Sequence, residues 1–229
     1  MGYRLAAALF SLGCADFGHL YMRATRKKDY KSAFWRKGLA GLCFIGAGVC
    51  LALRCVDGRF ARLVVAGLCF GLLGDQLLAL RFEYCKEQHD LVFALGALAF
   101  SVGHVWYLLA LYGRDGGLFR SSLPVLVLGM ALSALYARLR RIDPGKFRVA
   151  GVIYIGLVIF MAATACALAG RSFSAGTLLF AVGGVCFAVS DNLLCARSFG
   201  RARSEPVNSA IHITYYAAQL LFAWSLTCI

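Results

Sequence analysis

Apolar runs of about twenty residues recur along the whole chain, divided only by short polar linkers, and that length matches the hydrocarbon core of a bilayer. Lipid offers no partners to backbone N–H and C=O groups, so a segment inside it must satisfy them itself. Uninterrupted runs of this length, in a chain with only 3 prolines, specify helices. The fold expected is therefore all-α, a polytopic transmembrane helix bundle of about eight spans forming a single transmembrane domain over 1–229. The spans fall at roughly 3–22, 38–54, 61–80, 91–112, 120–137, 148–169, 173–196 and 206–228. The first has the length of a signal peptide, but Asp16 and His19 follow its apolar core directly and no cleavage site is clear, so it reads as a retained helix.

Composition closes off other classes. Charged residues make up 15% of the chain, against about 25% in a typical soluble domain. The net charge of +13 does not point to nucleic acid, because the charges sit in linkers, where they set orientation and attract anionic headgroups. Seventeen of the 24 Lys and Arg lie in or beside the linkers after spans one, three, five and seven. The positive-inside rule then puts those linkers in the cytoplasm and both termini outside. The expected location is a multi-pass position in the cell inner membrane or the endoplasmic reticulum. Ten cysteines suggest a framework by count, but Cys14, Cys43, Cys50, Cys69, Cys166, Cys186 and Cys195 lie within apolar runs, with no CxxC and no Cys/His ligand spacing. They read as small packing residues; no metal and no cofactor is expected.

Against this background two acids stand out. Asp191 lies inside the seventh run, in Ser190-Asp191-Asn192-Leu-Leu, and Asp75 inside the third, in Gly74-Asp75-Gln76-Leu-Leu. An ionisable group in lipid costs roughly 2.5–3.5 kcal/mol on insertion scales, and such groups face a bundle interior or a wet cavity. The next span after each acid carries His-x-x-Tyr, as His104 to Tyr107 and His212 to Tyr215, which suggests a parallel internal repeat. Depth adds to the pattern. Asp75 and Asp191 each precede an arginine, Arg81 and Arg197, by six residues, or about 9 Å of helix. Tyr154, His212 and Asp16 fall at similar depth, whereas His104 lies about 21 Å in. A cavity opening toward the cytoplasmic leaflet would gather this layer, with Asp16 and His19 on its wall or, equally, serving as partners of the basic linker. Lys37, at the mouth of the second span, reads as a snorkelling anchor or as a ligand for a lipid phosphate. His89 falls in a linker and carries no signal.

Gly74-Asp75 in the third span, Phe100-x-x-x-His104-x-x-Tyr107 in the fourth, Tyr154 in the sixth, Phe187-Ala-Val-Ser190-Asp191 in the seventh and Thr214-Tyr-Tyr-Ala-Ala-Gln219-Leu-Leu in the eighth occur in this order. Together they resemble the YhhN family of integral membrane proteins, whose animal members include lysoplasmalogenases. In that family the second span usually opens with Lys-Pro; here the pair is Lys37-Gly38. The resemblance implies hydrolysis of the vinyl ether bond of a lysophospholipid, a lysoplasmalogen, to a fatty aldehyde and glycerophosphoethanolamine or glycerophosphocholine. It places the family's two intramembrane aspartates on Asp75 and Asp191.

The residues fit such chemistry in their own right. Cleaving a vinyl ether requires a proton on the β-carbon, a base for water, and negative charge near the oxocarbenium ion. Two carboxyl groups with separated acidities supply all three. One of Asp75 and Asp191 is then the acid and the other the base. His212, Tyr154 and Tyr215 would orient water and headgroup, with His104, Gln219 and Lys37 in support. The expected partners are the lysophospholipid and membrane lipids. Two other functions share these features: a proton-coupled lipid or small-molecule transporter, and a non-catalytic lipid-binding protein. Aldehyde release separates them.

Overall fold

The structure, a computed structural model, describes residues 2–83, 88–201 and 204–227. Eight α-helices account for nearly all of them, and the described residues include no strand. They are α1 (Gly2–Arg26), α2 (Tyr30–Ala52), α3 (Gly58–Glu83), α4 (His89–Arg114), α5 (Leu118–Leu139), α6 (Arg148–Arg171), α7 (Ala175–Phe199) and α8 (Glu205–Ser225). Seven of them, α1 to α7, are long and apolar enough to cross a membrane. The expected end of the last span, 228, and Lys86 and Arg203 of the basic linkers lie outside the described residues.

The helices outrun the apolar runs because polar residues cap and extend them. The clearest case is α2. Asp29 accepts the Ser32 amide at 3.1 Å and starts the helix at Tyr30, eight residues ahead of the expected span. Ser174 and Thr177 form a reciprocal capping box at the start of α7.

Consecutive helices pack side by side except at α5, which is displaced outward against α6 and α7. Helix α4 meets α6 directly, and α8 returns to pack on α1, α2 and α3, so the bundle closes on itself. In lipid, packing has no hydrophobic driving force between helices, and close contact depends on small residues. One face of α3 supplies them. Gly67 receives the Tyr107 ring of α4, Gly71 receives Gln219 and Tyr215 of α8, and the Phe100 ring lies 2.7 Å from where a Gly74 Cβ would stand. Ser190 donates to the Ile211 carbonyl at 2.9 Å and ties α7 to α8.

An aromatic floor fills the middle of the bundle. Tyr107, Phe60, Phe180, Phe187 and Phe222 are fully buried, with Tyr107–Phe222 and Phe180–Phe222 ring centroids 4.5 and 4.7 Å apart. Above the floor, toward the end where α1, α3 and α7 finish, the packing opens.

Candidate active site

Each acid is held by a side chain from the preceding helix. Lys37 Nζ on α2 lies 2.7 Å from Asp75 Oδ1 on α3. The Tyr154 hydroxyl on α6 donates to Asp191 Oδ2 on α7 at 2.5 Å. Lys37, Asp75 and Asp191 are 4%, 3% and 4% exposed, so both pairs are shielded from solvent. The two carboxyl groups are near enough to act on one another electrostatically. The halves of the chain therefore repeat the same step, an acid with a polar partner one helix back, using different chemistry for the partner.

The position of Lys37 corrects the snorkelling reading. With α2 starting at Tyr30, Lys37 lies two turns inside the helix, and its ammonium turns inward to Asp75. Gly38, where Lys37 is followed by no side chain, leaves room for Gln76 beside it. Asp75 Oδ2 is buried without a hydrogen bond among the described residues, with the Tyr215 hydroxyl near enough to act on the carboxyl, and Asp75 borders neither of the two neighbouring cavities.

Two cavities meet beside these pairs. The larger, about 510 Å³, is a polar vestibule walled by the ends of α1, α3 and α7 and the starts of α2, α4 and α8, with Lys37, His212 and Arg197 on its lining. The smaller, about 330 Å³, is an apolar groove between α4, α6 and α7, with Tyr154 and Asp191 at its inner end. Its outer wall includes the exposed Leu98 and Ile153, so it opens sideways to the lipid. The two share Leu78, Phe93, Phe147, Leu194, Ser198 and Phe199. The result is one bent chamber, polar at the helix ends and oily at the flank, with the Asp191 carboxyl on the groove side, one turn from the shared Leu194.

The other expected residues divide between the lining and the layer behind it. His212 lines the vestibule, with Nε2 3.3 Å from the Tyr21 hydroxyl. Tyr215, Gln219 and Tyr107 form a buried hydrogen-bond chain: Tyr107 donates to Gln219 Oε1 at 3.0 Å, Gln219 Nε2 to the Tyr215 hydroxyl at 2.9 Å, and Tyr215 to the Gly71 carbonyl at 3.1 Å. This chain holds α3, α4 and α8 in register beneath Asp75 and borders neither cavity. His104 is packed against Phe187, ring centroids 4.5 Å apart, with neither nitrogen bonded among the described residues. Asp16 and His19 face outward and do not reach the chamber, because α1 turns its Cys14 and Gly18 face to the bundle. His89, expected in a linker, opens α4 and lines the vestibule mouth. Tyr21 and Arg197 went unrecognised as lining. The sequence did mark Arg197, six residues past Asp191, but a basic residue closing a span looks like an interfacial anchor.

The fold and chamber define a polytopic helical membrane protein with a lipid-facing groove running to a buried acid. The chain matches the YhhN family over residues 35–226 and belongs to that family. No curated protein and no solved structure matches it.

Proposed function

We propose that this protein is a membrane-embedded hydrolase that cleaves the vinyl ether bond of a lysoplasmalogen. The observation that carries the reading is the position of Asp191 on the apolar groove, one turn from Leu194, where the groove meets the polar vestibule. A single-chain phospholipid has the same division, with its vinyl ether between tail and headgroup. Laid with its tail in the groove and its headgroup in the vestibule, it brings that bond to Asp191.

The two acids then take different roles. Asp75 is charge-balanced by Lys37, whereas Asp191 is held by a phenol. Asp191 is the proton donor: its Oδ2 accepts from Tyr154, which leaves Oδ1 to carry the proton to the substrate β-carbon. The resulting oxocarbenium ion is attacked at the α-carbon by a water held on Asp75 Oδ2, which takes a proton from it. The hemiacetal passes its hydroxyl proton to the Asp191 carboxylate as the carbon–oxygen bond to glycerol breaks. The glycerol oxygen takes the proton held by Asp75, which restores both acids, and fatty aldehyde and glycerophospho-alcohol leave. Net, one water is consumed.

The aromatic floor supports hydrolysis over transport, because among the described residues both cavities lie on one side of it and neither lining includes a floor residue. The test is aldehyde release from lysoplasmalogen by the purified protein, with Asp75→Asn and Asp191→Asn alongside. Turnover by the native chain and loss of at least a thousandfold in each folded variant is the expected result. Near-native turnover in either variant removes the two-acid mechanism; tight lipid binding with no aldehyde from the native chain removes the hydrolase reading.

A further inference from the structure

Arg197 lines the polar vestibule, and its buried Nη1 makes no hydrogen bond or ion pair among the described residues. Its place in the last turn of α7 suits the helix dipole. That does not explain a buried N–H, which costs the full desolvation of the group when it has no acceptor. The acids on the same lining are already engaged: Glu205 by Arg26 at 3.4 Å, and Asp90 by Lys146. Lys37 is committed to Asp75. Lys28 lies at the rim of the vestibule, and His212 lies within electrostatic reach of both Arg197 and Lys37. Among the described residues the lining therefore carries an excess of positive charge, with a fork-shaped donor on it. A phosphate diester, anionic and rich in acceptors, is the ligand that this donor set fits.

Spacing along the helix axis agrees with the fit. Arg197 follows Asp191 by six residues on one helix, about 9 Å of rise. In a lysoplasmalogen, seven covalent bonds separate the vinyl β-carbon from phosphorus, and at about 1.25 Å of advance each they span about 9 Å. From this we infer that Arg197 is the phosphate ligand of the substrate site, setting the register that places the vinyl ether against Asp191. The assignment rests on the reading of the chamber as a lysophospholipid site, and it adds a headgroup requirement: a lipid with the same tail and no phosphate binds out of register or weakly.

Binding of lipids that the enzyme is unable to cleave tests this separately from hydrolysis. The probes are a saturated 1-O-hexadecyl lysophosphatidylcholine, 1-O-hexadecylglycerol, which has the tail alone, and glycerophosphocholine, which has the phosphate alone. The native protein is expected to bind the first at least tenfold more tightly than the second and a hundredfold more tightly than the third. Arg197→Gln lowers affinity for the lysophospholipid ten- to a hundredfold and leaves the alkylglycerol within twofold. Arg197→Lys, which keeps charge and loses the fork, falls between them. Unchanged lysophospholipid affinity in folded Arg197→Gln overturns the assignment, as does glycerophosphocholine binding as tightly as the full lipid. Binding as described with no aldehyde formed from lysoplasmalogen leaves the phosphate site standing and overturns only the hydrolase reading.

Discussion

The Tyr154 hydroxyl reaches Asp191 from one helix back at 2.5 Å, as the Lys37 ammonium reaches Asp75 at 2.7 Å. One arrangement used twice gives one acid a cation and the other a phenol. Because the partners differ, two carboxyl groups in similar burial can take different parts in a reaction that needs both an acid and a base.

Tyr154→Phe removes the bond to Asp191 and little else, since the ring remains to pack beside His104. If Asp191 is the proposed acid, losing its hydrogen bond costs about 1–3 kcal/mol, so kcat is expected to fall about ten- to a hundredfold with KM nearly unchanged. Initial rates of aldehyde release across substrate concentrations check this. A rise in KM with kcat intact would place Tyr154 in binding instead.

Gly151 lies on the wall of the apolar groove, and a Cβ added there meets nothing within 4 Å. Gly151→Leu therefore leaves the fold intact and fills the groove. The expected outcome is a KM raised at least tenfold for long-chain lysoplasmalogens, a smaller effect on short-chain ones, and an unchanged melting temperature. Equal effects at all chain lengths would move the tail elsewhere.

The fold was legible in the sequence because the bilayer leaves few choices: a twenty-residue apolar run becomes a helix, and a carboxylate within it turns inward. What the sequence obscured was rotation and cap position. One aspartate at position 29 moves the start of α2 back and carries Lys37 from the rim to the interior. Depth alone grouped Asp16 with Asp75 and Asp191, yet α1 turns Asp16 outward. Runs apolar on all sides, such as α6, carry no periodicity to say which face is inside, so the aim of Tyr154 was not readable from spacing. Arg197 was hidden for another reason, since an arginine ending a span has two ordinary explanations before a third is needed.

At the opposite end of the bundle, Asp57 caps α3 by accepting the Phe60 amide at 2.9 Å and takes Arg114 of α4 at 3.1 Å. The Phe60 amide, with help from Arg114 and against its partial burial, holds the Asp57 carboxyl below its usual value. A depressed carboxyl contributes stability that is present above the unfolded value, about 3.9, and is lost as pH falls through the folded one. Asp57→Asn is thus expected to lower the melting temperature at neutral pH and to flatten its decline in acid. Parallel melting curves for the variant and the native chain down to acid pH would show that the cap carries no such linkage.

The Lys37–Asp75 pair gives the sharpest test of how the interior is balanced. Removing one member of a buried ion pair strands the other, at a cost of about 3–5 kcal/mol, whereas replacing both with apolar residues of similar size is often neutral or stabilising. Lys37→Met and Asp75→Leu alone should each lower thermal stability in detergent sharply. Combined, they should restore most of it, because neither charge is left without its partner. Activity should behave differently: on the proposed mechanism the double variant stays inactive, since its recovered packing lacks the oxygen assigned to the water. Stability and turnover thus separate in a single double-mutant cycle. Additive losses of stability would mean that the 2.7 Å contact is not the dominant interaction of either group, and recovery of turnover along with stability would remove Asp75 from the chemistry.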